Sequence, residues 1–280
     1  MNMKKTFALK LAAMLLLAVM PLSVFASGGE EFPLDEFEPA LGDRASLQRG
    51  AQVFVNYCMG CHSADYMRYG RLAKDLGIPD KLVQENLIFD QNGKIGDLMQ
   101  IGMPKKLAKK WFGAAPPDLT LVSRARSPEW LYTYLRTFYK DPSRPYGVNN
   151  LVFKDVGMPH VLLELQGEQV CKPAWAKASN GGIKRDPLTG ANVEDHHVPC
   201  GRVEHVEGTG KLKPAEYDTA VADLVSFLAY MAEPTTIEDR KVFGIGLSQR
   251  ETIGIYSLLF LAFFGVWAWL LNREYWKDVH

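Results

Sequence analysis

Two cysteines and a histidine within five residues form the group in this chain whose types and spacing could do chemistry. Cys58 and Cys61 are separated by two residues, and His62 follows directly. On one helical turn, two thiols at this spacing can each reach a vinyl group of the same porphyrin, while the imidazole reaches the iron from one side. The C-x-x-C-H pattern therefore predicts covalently attached haem c. Because the pattern occurs once, it predicts one haem.

Two other kinds of site use the same residue types. A C-x-x-C pair occurs in thioredoxin-like redox proteins, but the adjacent histidine and the absence of a βαβ sequence pattern argue against that interpretation. The pair could also be half of a zinc site, completed by some of four later residues: Cys171, His196, His197 and Cys200. Haem attachment is the favoured interpretation for an exported protein.

The position opposite His62 on the iron needs a second ligand in an electron carrier, and a methionine there raises the potential relative to a second histidine. The downstream candidates are Met99, Met103, Met158, Met231, His160, His196, His197 and His205. Met231 falls on the apolar face of a predicted helix, which favours a core position. Met103 and Met158 both lie in Gly-Met-Pro, where proline stiffens the loop and glycine permits close approach. Spacing does not separate these two.

The N-terminal residues 1–26 have the features of a secretory signal peptide. Lys4, Lys5 and Lys10 precede an apolar core, and Ala26 ends a cleavage site. The apolar run is short for a membrane span. Export places the chain where haem c attachment and disulfide formation both occur. Without the signal peptide the chain carries about three net negative charges, which excludes the charge balance of a nucleic-acid-binding protein and is compatible with a basic redox partner.

The C-terminal residues 252–272 carry no charge. At ~1.5 Å per residue such a helix spans about 30 Å, the thickness of the hydrocarbon core. It predicts a single transmembrane anchor in membrane lipid, with a short cytoplasmic tail at 273–280. The predicted location is the bacterial inner membrane, with the haem domain in the periplasm.

Residues 27–236 are long enough for one domain, joined to the anchor by a linker at 237–251. Apolar residues at helical spacing predict three helices, starting near Ser46, at Ser127 and near Pro214. Strand-like alternation is scarce, and 76–118 and 167–213 are predicted to be largely irregular. The predicted fold class is mostly α, a class I cytochrome c-like haem domain with long loops, in which the first and last helices cross behind the porphyrin.

The order of the motifs resembles the cytochrome c1 family, the haem subunit of the cytochrome bc1 complex. The resemblance covers essentially the whole mature chain. The matching segments are R-G-A-Q-V-F at 49–54, C-M-G-C-H-S at 58–63, P-P-D-L-T at 116–120, R-A-R at 124–126 and G-M-P at 157–159. The C-x-x-C-H pattern fits any c-type cytochrome, so P-P-D-L followed by R-x-R is the discriminating part.

This resemblance implies roles for three further residues. Met158 would be the sixth ligand of the iron, Arg124 would pair with a haem propionate, and Pro117 would form a rigid rim of the haem crevice. Cys171 and Cys200 both follow Met158, whereas relatives can carry a disulfide before the ligand methionine. In an oxidising compartment these two cysteines are still expected to pair rather than to bind zinc.

The resemblance also implies a function. The chain would accept an electron from the Rieske iron–sulfur protein and pass it to cytochrome c, in a complex with cytochrome b, and would not be catalytic alone. Two alternatives differ in class. One is an anchored monohaem subunit of a terminal oxidase or a nitric oxide reductase. The other is a periplasmic haem sensor with a labile sixth site, which the short cytoplasmic tail disfavours.

Overall fold

The computed structural model describes residues 32–179, 181–195, 197–198, 200–237 and 249–277. The chain divides into two units, 1–33 and 34–280, and the elements below belong to the second. The predicted signal peptide at 1–26 and most of the predicted linker lie outside the described residues.

Helices are the main regular elements. In chain order they are α1 (Arg44–Val53), α2 (Tyr69–Leu76), α3 (Asp80–Asn86), α4 (Lys105–Phe112), α5 (Val122–Arg126), α6 (Pro128–Arg136), α7 (Leu163–Gln166), α8 (Pro214–Ala232) and α9 (Gln249–Tyr275). A π-helix at Phe54–Cys58 continues α1, and a 3-10 turn at Pro234–Ile237 follows α8.

The strands in the described part of the chain form two-stranded antiparallel sheets, pairing β1 with β2, β3 with β4, β5 with β8 and β6 with β7. They are β1 (Ala64–Arg68), β2 (Leu98–Met99), β3 (Phe138–Lys140), β4 (Val148–Asn150), β5 (Gln169–Lys172), β6 (Ala174–Trp175), β7 (Glu194–Asp195) and β8 (Arg202–His205). Most of 76–118 and 167–213 is irregular, as the sequence predicts, but the first segment also contains α3 and α4 and the second contains β5 to β8. These strands have two to four residues, too few to show a period of two.

Local capping explains where the predicted helices begin. The Asp43 carboxylate accepts hydrogen bonds from the backbone N–H groups of Ala45 (2.9 Å) and Ser46 (3.2 Å), which fixes the start of α1. Ser127 caps α6 through Trp130 N–H, with proline at the first helical position. The mostly α fold predicted from sequence is confirmed.

Helices α1 and α8 pack directly on each other around a buried carboxylate. Asp223, in α8, accepts hydrogen bonds from the Ser46 hydroxyl at 2.6 Å and from the Arg49 guanidinium at 2.6 and 3.0 Å. The Phe54 and Phe227 rings meet at a centroid distance of 5.6 Å. The Cβ of any larger residue at Gly50 would lie 2.1 Å from the Asp223 carbonyl oxygen. The crossing therefore requires glycine at this position.

Replacing Gly50 with alanine is expected to lower the free energy of unfolding by about 1–3 kcal/mol through overpacking. This cost exceeds the helical preference for alanine, which is worth at most about 1 kcal/mol. Thermal denaturation of the haem-loaded protein would measure the loss. Gly96→Ala is the matched control, because a Cβ at Gly96 meets nothing within 4 Å. Equal denaturation temperatures for the two variants would contradict the close crossing.

The segment between α7 and α8 is held by a disulfide between Cys171 and Cys200, whose Cα atoms are 5.3 Å apart. Cys171 lies in β5, which pairs with β8, and Cys200 lies two residues before the start of β8. The bond thus closes the loop that carries the β6–β7 pair.

Replacing both Cys171 and Cys200 with serine is expected to lower the free energy of unfolding by about 2–4 kcal/mol, because the unfolded chain loses a cross-link. The midpoint potential should stay unchanged, since neither residue belongs to the haem-attachment motif. Denaturation with urea and a redox titration measure the two quantities. Reducing the disulfide in the wild type should lower the free energy of unfolding by the same amount. A wild type whose stability does not change with reductant would contradict this prediction.

Helix α9 contains Glu251–Tyr275, a stretch long and apolar enough to cross a membrane. Its apolar side chains are exposed, including Leu258, Phe263 and Trp269. A core helix of a soluble protein would bury such residues. The exposure favours the anchor that the sequence predicts over a buried core helix.

Candidate functional site

The cysteines and the histidine of the motif lie on one tight turn. The π-helix closes with a hydrogen bond from Met59 N–H to Phe54 C=O, at 3.0 Å. The N–H groups of Cys61 and His62 then both donate to the Cys58 carbonyl, at 3.1 and 2.9 Å. Single turns of π-helix are frequent at functional sites. Because Cys61 and His62 both donate to the Cys58 carbonyl, the two thiols and the imidazole lie close together on one turn.

The His62 ring is oriented by the carbonyl oxygen of Pro117, which lies 2.7 Å from Nδ1. A carbonyl can only accept, so Nδ1 carries the proton and Nε2 is left with its lone pair. Burial lowers the pKa of His62, and the Pro117 carbonyl and Asp118 partly oppose that effect. The neutral ring with a free Nε2 is the form that ligates a metal.

The P-P-D-L-T segment is bonded along its length to the chain that follows the motif. Leu119 N–H donates to the Ser63 carbonyl at 2.9 Å. The Asp118 carboxylate accepts from Asp65 N–H at 2.6 Å, and Tyr66 N–H donates to the Thr120 hydroxyl at 3.3 Å. The segment is thus fixed against the motif, and its first contact is the one that orients His62.

Cys58 is buried, and Cys61 is partly exposed. Burial raises the pKa of the Cys58 thiol to about 12, with a smaller contribution from Cys61. The sulfur is therefore a neutral thiol at neutral pH. The pair is not joined to itself by a disulfide, in contrast to an oxidised thioredoxin-like site.

The candidates for the second iron ligand fall into separate environments. Met99 and Met231 are fully buried in the core. His160 is stacked on the Phe138 ring at a centroid distance of 4.8 Å, and burial lowers its pKa to about 4. His205 lies on β8, His197 is exposed in a turn, and His196 lies outside the described residues. Two half-buried thioethers remain among the described candidates, those of Met103 and Met158.

Met103 and Met158 differ in how firmly their loops are held. Met103 lines a cavity of about 270 Å³ together with Cys61, and its loop leads into the exposed helix α4. The loop before Met158 is braced by two buried side chains. Asn150 Oδ1 accepts from Val152 N–H at 2.9 Å, and Asn149 Oδ1 accepts from Asp155 N–H at 2.9 Å. A braced loop holds a ligand in position more firmly, which favours Met158.

The thioether of Met158 also has a polar partner. The Tyr134 hydroxyl, on α6, donates to the Met158 sulfur at 3.5 Å. Tyr134 is stacked on Trp130 at 4.8 Å and meets the Phe138 ring edge-on at 5.1 Å. These rings fix the phenol, so its orientation toward the sulfur is set by α6 and β3.

Arg124, predicted to pair with a propionate, lies in α5 with its side chain 61% exposed. Its Nη1 is 3.5 Å from Glu233 Oε2, an ion pair at the end of α8. Both partners retain solvent access, so the pair is weak and leaves the guanidinium able to engage another carboxylate.

The zinc alternative loses two of its possible ligands, Cys171 and Cys200, to the disulfide that joins them. Among the described residues, which exclude His196, no group of three or more His, Cys, Asp or Glu side chains could hold a metal ion. By contrast, the thiols, the oriented imidazole and a braced thioether are the donor set of a c-type haem. The residues present fit that group.

Comparisons with known proteins identify the family to which this chain is related. The profile of the Cytochrome C1 family matches residues 40–170. Cytochrome c1 of Allochromatium vinosum is 50% identical over 96% of this chain and 98% of its own length. The ammonia monooxygenase gamma subunit of Nitrosomonas europaea is 40% identical over 97% of this chain and 100% of its own. A solved structure, the Hyperthermophilic respiratory Complex III, covers 100% of both chains with 14% identity and a TM-score of 0.40.

Fold, site and relatives together define a membrane-anchored c-type cytochrome, a protein that carries electrons on haem. The haem domain and the apolar helix α9 are both present in one chain. More particularly, the chain belongs to the cytochrome c1 family. It is thus an electron carrier of the cytochrome bc1 complex.

Several residues of the site were not found by the sequence analysis. Asn149 and Asn150 accept from backbone N–H groups two to six residues further along the chain, in a loop without a recognisable turn motif. Tyr134 contacts Met158 across 24 residues, which leaves no local pattern. Pro117 was predicted to form a rigid rim, whereas in the structure its carbonyl is the acceptor for His62. The P-P-D-L motif pointed to this segment but not to the contact with His62.

Proposed function

We propose that the chain carries one haem c, attached through thioether bonds to Cys58 and Cys61. His62 would ligate the iron through Nε2, and Met158 would be the ligand on the other side. The observation that carries this proposal is the 2.7 Å contact between His62 Nδ1 and the Pro117 carbonyl, beside two thiols on the same turn. When bound, the haem supplies a one-electron couple. The protein orients the imidazole, holds the sulfur and limits access of water.

The roles of the remaining site residues follow from their chemistry. Pro117 fixes the imidazole and borders the haem crevice. Arg124 pairs with a propionate, for which its forked guanidinium is suited. Residues 1–26 direct the domain to the periplasm, and α9 anchors it in the inner membrane.

The proposed path takes one electron from the Rieske iron–sulfur protein and delivers it to cytochrome c, next to cytochrome b in the same complex. No residue of this chain needs to act as an acid, base or nucleophile. Purification of the tagged chain from its native membrane tests the path. We expect cytochrome b and the Rieske protein to co-purify, and quinol to reduce cytochrome c in that preparation.

A subunit of another enzyme complex, such as a terminal oxidase or a nitric oxide reductase, would give a different result in this co-purification. Such a subunit would co-purify with its own partners and without cytochrome b or the Rieske protein. The co-purification is needed to separate these alternatives because one relative, 40% identical, is named as a subunit of ammonia monooxygenase. A haem sensor would instead bind carbon monoxide readily in the ferrous state, which an iron closed by methionine resists.

Replacing Tyr134 with phenylalanine is expected to lower the midpoint potential. The phenol draws electron density from the Met158 sulfur, so its loss makes the sulfur a better donor to ferric iron. A hydrogen bond worth about 0.5–1.5 kcal/mol corresponds to about 20–65 mV for one electron. Redox titration would measure the shift. Tyr132→Phe is the control, because Tyr132 stacks on Phe37, away from Met158, and an equal shift in both variants would contradict the assignment.

A further inference from the structure

Helix α4, Lys105–Phe112, is a short and exposed cationic helix. Its sequence K-K-L-A-K-K-W-F holds four lysines and no acidic residue. Only Ala108 is buried, whereas Trp111 is 58% exposed and Leu107 42% exposed. Exposed apolar side chains rimmed by polar residues are a feature of interaction sites. We define the cationic surface as Lys105, Lys106, Leu107, Lys109, Lys110 and Trp111.

The lysines of this surface are largely without ion-pair partners. Lys105 Nζ is 4.0 Å from Asp65 Oδ2, a loose contact for a side chain that is 83% exposed. For Lys106, Lys109 and Lys110, the described residues provide no carboxylate within ion-pair distance. Lysines close together on one helix produce a positive local field, although the mature chain as a whole is slightly acidic.

The cationic surface lies beside the haem-attachment motif. Lys105 and Ala108 of α4 line the same cavity of about 270 Å³ as Cys61 and Pro116. The proposed thioether at Cys61 puts one edge of the porphyrin within bonding distance of that cysteine. A redox partner that approaches this edge closely must therefore contact α4.

We infer that the cationic surface is the docking site for a soluble acceptor cytochrome c whose own docking face is acidic. This inference rests on the proposed function and specifies the partner of the same site. Attraction to the four lysines steers an acidic face toward the Cys61 edge, and the net negative charge elsewhere on the chain disfavours other orientations. One electron leaves ferrous haem of this chain and reduces the ferric haem of the acceptor. A basic cytochrome c would be repelled from this edge. This partner has the opposite charge to the one that net charge alone suggests.

The test is the bimolecular rate of electron transfer from the reduced, haem-loaded full chain in detergent to two acceptors, an acidic and a basic cytochrome c. For the acidic acceptor we expect the rate to fall on the order of tenfold or more between low and high salt. Reversing Lys106, Lys109 and Lys110 to glutamate should lower the low-salt rate by a similar factor. The midpoint potential and haem content should not change.

The matched control reverses Lys177, Lys184 and Arg185, three exposed cations of the loop closed by the disulfide. It changes the net charge equally, and we expect it to leave the rate within about twofold of wild type. An acidic-acceptor rate that is equally sensitive to both triple variants, or insensitive to salt, would overturn the docking site. The proposed function would survive that result if the protein still held haem and reduced the basic cytochrome c.

An anionic membrane surface is the other partner that lysines and tryptophan suit. We test it by acylating lysines in nanodiscs of phosphatidylcholine or phosphatidylglycerol. If the cationic surface binds the acceptor, the four lysines should be acylated equally in both kinds of nanodisc. Protection only in phosphatidylglycerol, with electron transfer unaffected by the α4 reversals, would place the helix against lipid and overturn the inference.

Discussion

Replacing Met158 with leucine is expected to lower the midpoint potential by on the order of hundreds of millivolts, since axial ligands set haem potentials over a range of about 0.8 V. A thioether favours ferrous iron, and leucine offers no replacement donor. The vacated position should also let the ferrous protein bind carbon monoxide. A redox titration and a carbon monoxide difference spectrum measure the two effects.

Met103→Leu is the matched control, because Met103 has the same Gly-Met-Pro context and is also half-buried. We expect its potential to stay close to that of the wild type. If Met103→Leu alone lowers the potential and admits carbon monoxide, the ligand is Met103. In that case the bracing of the Met158 loop by Asn149 and Asn150 has only a structural role.

Replacing His62 with alanine is expected to abolish normal ligation of the iron. The Pro117 carbonyl would lose its donor, and the turn that carries Cys58 and Cys61 would present no imidazole. We expect little or no haem-loaded protein with the spectrum of a low-spin c-type cytochrome. Absorption spectra of the ferrous and ferric protein, normalised to the chain, measure the loss.

His205→Ala is the control for that variant, because His205 lies at the end of β8, outside the haem-attachment motif. It should leave the spectrum and the yield unchanged. A His62→Ala protein with an unaltered low-spin spectrum would contradict the assignment of His62 and require another histidine.

The elements predicted correctly are those with local physical signals. Asp43, Ser127 and Pro128 mark helix starts, because capping and the fixed φ of proline act within a few residues. The apolar face of α8 can also be predicted from the sequence, because 19 helical residues are enough for the helical spacing of its apolar residues to be recognised. The uncharged run within α9 is equally visible.

The features missed depend on residues far apart in the chain. Asp223 and Arg49 are 174 residues apart, and nothing local to either predicts that their ion pair lies where α1 and α8 cross. Strands β5 and β8 consist largely of polar and charged residues, and their pairing depends on the disulfide-linked hairpin rather than on an apolar pattern. The charge of α4 was visible, but its position beside Cys61 was not.

Electron transfer by this chain depends above all on one haem being bonded covalently to Cys58 and Cys61. Mass spectrometry of a proteolytic digest of the purified full chain, after extraction with acidified acetone, measures this directly. The account predicts that the red colour stays with the protein and that a single peptide, containing both cysteines, carries the mass of one haem. Haem that is removed by the acetone, or a peptide whose two cysteines are unmodified, would contradict it.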